Sequence, residues 1–135
     1  MSFSQIFLLY FITLAIFVAL DAVWIWAISR RLYRSYMEGL LRARFNLFPA
    51  IIFYLMYIAG VMIFVVVPAF NNTSLGQAMG TGILFGLFSF GTYSLTNLAI
   101  IRDWSPLVAM IDMIEGMFIT GVACSVAFYL SQVIT

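Results

Sequence analysis

The chain has 135 residues, 65% of them hydrophobic and only 8% charged, with a net charge of +1. A soluble domain carries about a quarter charged residues, so this composition excludes a water-exposed globule and indicates one compact unit in a bilayer. The near-balanced charge gives no footing for a nucleic-acid partner. Every basic residue is an arginine, and histidine is absent. No Ser-His-Asp triad, histidine-ligated haem, HExxH zinc site, P-loop lysine or Schiff-base lysine can be built from these residue types. Cys124 is the single cysteine and reads as a small packing residue in an apolar span. No cofactor and no metal site is expected.

Residues 6–28 predict the first membrane span, about 23 residues or roughly 34 Å of helix. No basic segment precedes it and its apolar run is long, which argues against a cleaved signal. Asp21 interrupts the run, and Tyr10, Leu14, Phe17, Asp21, Trp24 and Ile28 share one face at helical spacing. Trp24 and Trp26 fall near the end of the span, where aromatic belts form.

Residues 29–46 form the one polar segment of any length and hold Arg30, Arg31, Arg34, Arg42 and Arg44. Leu32, Tyr33, Tyr36, Met37, Leu40 and Leu41 recur at helical spacing, which predicts a short interfacial helix with Arg34–Glu38 and Glu38–Arg42 pairs. Its plain reading is a topogenic cytoplasmic loop, with a lipid-headgroup site as the alternative.

The second span covers 48–70, with Pro49 in its first turn, where a missing N–H is tolerated. Tyr54, Tyr57, Val61, Phe64 and Pro68 line one face, and such an aromatic stripe reads as helix packing. Asn71 to Gly76 is a short turn; two glycosylation-acceptor patterns in it are read as turn residues. The third span, 77–101, gathers Gly82, Gly86, Ser89, Tyr93, Thr96 and Asn97 in a narrow sector. Its glycines predict close approach of another helix, as does Gly116 further on.

The fourth span, 106–131, carries Asp112 and Glu115, and their spacing of three puts both carboxylates on one face. A charged side chain near the centre of a membrane helix costs roughly 2.5–3.5 kcal/mol, so these acids are expected to face protein or water. Five arginines lie between spans one and two, and Arg102 lies between spans three and four. By the positive-inside rule both loops are cytoplasmic and both termini face out. Counting depth at 1.5 Å per residue then places Asp21, Tyr93, Asn97, Asp112 and Glu115 together in the cytoplasmic half of a four-helix bundle. Trp24 and Thr96 lie beside them. Three acids with no base in any span cannot all carry charge without large cost. Two readings stay open: a functional polar site, or a polar network that fixes helix register.

Three stretches resemble a known family: Leu20-Asp21-Ala22-Val23-Trp24, the run Phe53 to Gly60, and Thr92-Tyr93-Ser94-Leu95-Thr96-Asn97-Leu98-Ala99. They are similar, in the same order, to an uncharacterised bacterial group designated domain of unknown function 2177, small four-span inner-membrane proteins. The resemblance implies an all-α, four-helix membrane protein in the bacterial inner membrane and supplies no activity. The family pattern has an acid after the tyrosine where this chain has Ser94. It has D-x-x-W-G where this chain has Asp112-Met113-Ile114-Glu115-Gly116. The expectation is that positions 94 and 115 are neighbours, the carboxylate having moved between helices.

The leading function read from these residues is a buried acidic site, opening to the cytoplasm, that binds or transports a proton, a cation or a lipid-like amphiphile. A non-catalytic accessory subunit of a larger membrane complex is the first alternative. A lipid-modifying enzyme, with Asp21, Asp112 and Glu115 as a candidate magnesium site, ranks last. The bilayer is the one sure partner; a homodimer or a larger complex is left open.

Overall fold

The computed structural model describes residues 1–40 and 46–135, the side chain of Glu38 excepted. Four helices are long and apolar enough to cross a membrane: α1 Phe3–Met37, α2 Leu47–Asn71, α3 Leu75–Ile100 and α4 Pro106–Ile134. Each starts where a short polar side chain satisfies an otherwise unpaired backbone N–H. Ser2 and Gln5 form a reciprocal capping box on α1. The side chains of Asn46, Ser74 and Ser105 accept from Phe48, Gln77 and Val108 at the starts of α2, α3 and α4. Between α2 and α3 the turn is closed by Thr73 in the left-handed region, φ 49°, and by Asn72 Nδ2 donating to Gln77 Oε1 at 2.8 Å.

Helices α3 and α4 are packed most extensively, and small residues are the reason. A Cβ on Gly86 would overlap the carbonyl of Gly116, and one on Gly116 would strike the ring of Phe90. Gly82 lies against Cys124, where a Cβ would sit 2.9 Å from the neighbouring Cβ. Gly82, Gly86 and Gly116 thus all lie in the α3–α4 seam. Cys124 is fully buried in the same seam. α4 is the most buried of the four and touches all the others.

α1 and α2 close the bundle around an aromatic hub at Tyr57. Its ring centroid lies 5.1 Å from Phe17, 5.2 Å from Phe53 and 5.3 Å from Phe85, and its hydroxyl pairs with Thr120 Oγ1 at 2.7 Å. Three of the residues expected as a packing stripe, Tyr54, Tyr57 and Val61, do pack inward, whereas Phe64 is exposed.

α1 departs most from expectation. Its helix runs unbroken for 35 residues, roughly 50 Å, past the about 30 Å of a hydrocarbon core. The amphipathic helix is present as Arg30–Met37, joined to the span through a π turn at Ile25–Ser29. Its apolar side is docked on the start of α4: Met37 is buried and its sulfur accepts from the Ser105 N–H at 3.4 Å. The π turn takes one residue more per turn than an α-helix and so advances the buried face. The buried line is Leu9, Thr13, Phe17, Asp21 and then Ser29, while Ile28, expected on it, is exposed. Arg42 and Arg44, and with Arg42 the second expected ion pair, lie outside the described residues; the side chain of Glu38 is likewise not described.

Gly86→Ala is expected to destabilise the bundle by about 1–3 kcal/mol through overpacking against Gly116. Gly80→Ala, where a Cβ meets nothing within 4 Å, is expected to be neutral or slightly stabilising. Thermal denaturation in mild detergent compares the two, and equal melting temperatures would contradict this packing.

Candidate ligand site

α3 is locked against α4 through glycines, and α1 packs on the adjoining side of α4. Asp112 and Glu115 point to that side and are each about 5% exposed. Asp21 on α1, 7% exposed, faces them. All three line one cavity of about 860 Å³, together with Ser89, Phe90 and Tyr93 of α3, Phe53 of α2, and Ile25, Ser29 and Tyr33 of α1. Arg30 and Arg34 line it as well, on the segment of α1 that extends beyond the span.

Each acid has a different partner. The Tyr33 hydroxyl donates to Asp112 Oδ2 at 2.6 Å, and the Tyr54 hydroxyl donates to Asp21 Oδ2. The Glu115 carboxyl lies within hydrogen-bonding reach of Asp21 and near Asp112, and its Oε2 is buried with no N–H or hydroxyl donor to pair with. A buried acceptor left unpaired costs about 1–3 kcal/mol, more when charged. The site is therefore rich in acceptors and short of donors. Two tyrosine hydroxyls supply one hydrogen bond each to a cluster of three acidic side chains.

Five of the expected site residues converge only in part. Asp21, Asp112, Glu115 and Tyr93 line the cavity; Asn97 is half-buried one turn further along α3, near Tyr93. Tyr93 is half-exposed, with its ring edge-on to Trp104 at 5.9 Å. Thr96 is on the exposed face of α3 and does not reach the cavity, because the helix turns it away from the glycine seam. Trp24 is half-buried against Phe118 rather than in the cavity wall, with rings 6.4 Å apart. Ser94 is fully buried against α4 and does not line the cavity either. The contacts of Gly86 with Gly116 and of Gly91 with Met113 put Ser94 opposite the turn of α4 that precedes Glu115. Among the described residues no group of three His, Cys, Asp or Glu side chains is gathered closely enough to hold a metal ion.

Tyr33, Tyr54, Arg30 and Arg34 belong to the site and were read otherwise from the sequence. Tyr54 had a signal: a hydroxyl in an apolar span needs a partner when buried. Tyr33 had none within a 3.6-residue period, since the π turn brings it onto the Asp21 face.

Tyr54→Phe and Tyr33→Phe each remove a donor and leave a buried carboxylate short, with an expected loss of about 1–3 kcal/mol. Tyr129→Phe, on an exposed tyrosine, is the control expected to change nothing. Melting curves of the three variants test this, and a null effect at both inner tyrosines would break the donor assignment.

Neither the curated proteins nor the solved structures give a match to this chain. A family model described as "Predicted membrane protein (DUF2177)" matches residues 6–129, nearly the whole length, and the chain belongs to that family of membrane proteins.

Proposed function

We propose that the cavity between α1, α3 and α4 binds the cationic end of an amphiphile, entering from the arginine-bearing side. The observation that supports this most is Glu115 Oε2, buried, unpartnered and set in the wall of a cavity with two further acids. An ammonium group carries up to three N–H donors and a positive charge, the two things the site lacks. The volume, about 860 Å³, is in the range of ligand pockets, and Phe53, Phe90 and Ile25 offer apolar wall beside the acids.

By the bias of arginine toward the cytoplasmic side, the mouth at Arg30 and Arg34 opens to the cytoplasm of a bacterial inner membrane, with both termini outside. A network that served register alone would have its acceptors paired within the protein. Glu115, set beside two further acids in the cavity wall, favours a ligand. The activity proposed is binding.

Dodecylamine added to the purified chain in detergent is expected to raise its melting temperature, while dodecanol, of equal chain length but neutral, is expected not to. Glu115→Gln should weaken the amine response roughly tenfold, equivalent to about 1.4 kcal/mol, and Asp21→Asn should weaken it in the same direction. Without ligand, Glu115→Gln should be at least as stable as the parent chain, since it relieves the crowding of three acids in one buried cluster. Equal shifts with amine and alcohol, or an amine shift untouched by Glu115→Gln, would defeat the proposal.

A further inference from the structure

A second hollow, about 600 Å³, runs between α1 and α2. Its wall is almost wholly apolar and follows one strip of α1 from Leu14 through Val18, Ala22 and Trp26 to Arg30. Leu14 and Arg30 are sixteen residues apart, roughly 24 Å of helix. That exceeds the depth of one leaflet, about half of a 30 Å hydrocarbon core. The groove is thus long enough for an acyl chain lying parallel to the helix.

The groove and the acidic cavity are contiguous. Ile25 and Arg30 line both. Tyr54 lines the groove with its ring and donates its hydroxyl to Asp21, which lines the cavity. Along this path the wall changes in order. It is apolar from Leu14 to Ile25, cationic at Arg30 where the hollows meet, and acidic at Asp21 and Glu115 inside.

Resting on the reading of the cavity as a cation-binding site, we propose that cavity and groove together hold one phospholipid whose headgroup carries both a phosphate and an ammonium. The acyl chain lies in the α1–α2 groove and the phosphate meets the Arg30 guanidinium. The ammonium reaches Glu115 and Asp21. Arginine suits this role because its planar fork pairs with phosphate oxygens in a bidentate manner. An anionic lipid would satisfy Arg30 and bring no cation to three carboxylates. A simple alkylamine would satisfy the acids and leave Arg30 unused. Only the zwitterionic headgroup matches the sequence of charges.

The test compares phosphatidylethanolamine, phosphatidylglycerol of the same acyl chains, and dodecylamine, added to the purified full chain in detergent. Affinities are read from melting-temperature shifts and from lipid adducts in native mass spectrometry. Phosphatidylethanolamine is expected to bind at least tenfold more tightly than phosphatidylglycerol. Arg30→Gln is expected to weaken phosphatidylethanolamine about tenfold. Dodecylamine is expected to bind that variant at least as tightly as the parent chain, since a like charge beside the amine is removed, and this binding also shows that the variant is folded. Ala22→Trp, which fills the groove from an exposed position, is expected to weaken the phospholipid by a similar factor. If phosphatidylglycerol binds equally well, or Arg30→Gln changes nothing while dodecylamine still depends on Glu115, the phospholipid assignment falls and the cation site stands. If neither dodecylamine nor phosphatidylethanolamine binds the parent chain, both fall.

Discussion

The contact between the backbones of Gly86 and Gly116 governs this molecule. In a bilayer, helices gain little from hiding apolar surface against one another, so close approach and dispersion must hold them. With no side chain at either position, α3 and α4 meet at backbone distance, and Gly82 against Cys124 continues the seam. The consequence reaches beyond packing. Fixing one side of α4 against α3 turns Asp112 and Glu115 toward α1, where Asp21 waits on the facing helix. A bulkier residue at 86 or 116 would move the acids as well as the helices.

The second constraint is the shortage of hydrogen-bond donors around those acids. Tyr33 and Tyr54 reach two of the carboxylates from opposite directions, one from the extended end of α1 and one from α2. These bonds tie the two outer helices to the acidic centre, so the polar cluster also contributes to holding the bundle. Structural and ligand-binding roles are therefore not exclusive. Asp21 and Asp112 are held by tyrosines, whereas Glu115 keeps an unpartnered oxygen. The division of labour follows the geometry.

The π turn in α1 connects the membrane span to the site. By adding a residue to one turn it keeps Ser29 and Tyr33 in line with Asp21. It also carries the arginines past the hydrocarbon region while keeping Arg30 and Arg34 at the rim of the cavity. The same strip of α1 presents acids, an arginine and an apolar groove within a few turns. That ordering makes one amphiphile a better fit than separate ligands for two hollows.

Four spans, their limits within a few residues for α2 and α3, the glycine seam and the burial of all three acids were legible in the sequence. Composition, hydropathy and small-residue spacing are local properties that a bilayer reads directly. The fusion of the amphipathic segment of α1 to its span was not legible, because a π turn leaves no residue signature that periodicity detects. Thr96 shows the opposite error: a helical wheel placed it near the polar sector, and the packing angle of α3 on α4 turned it outward. Tyr33 on Asp112, Tyr54 on Asp21 and the junction of cavity and groove at Arg30 join residues from 33 to 79 positions apart or from different helices. Sequence alone determined that this chain lives in a membrane and carries acids there. Which side chains meet those acids was decided by the tertiary structure, because pairings between helices depend on crossing and register that no single helix encodes.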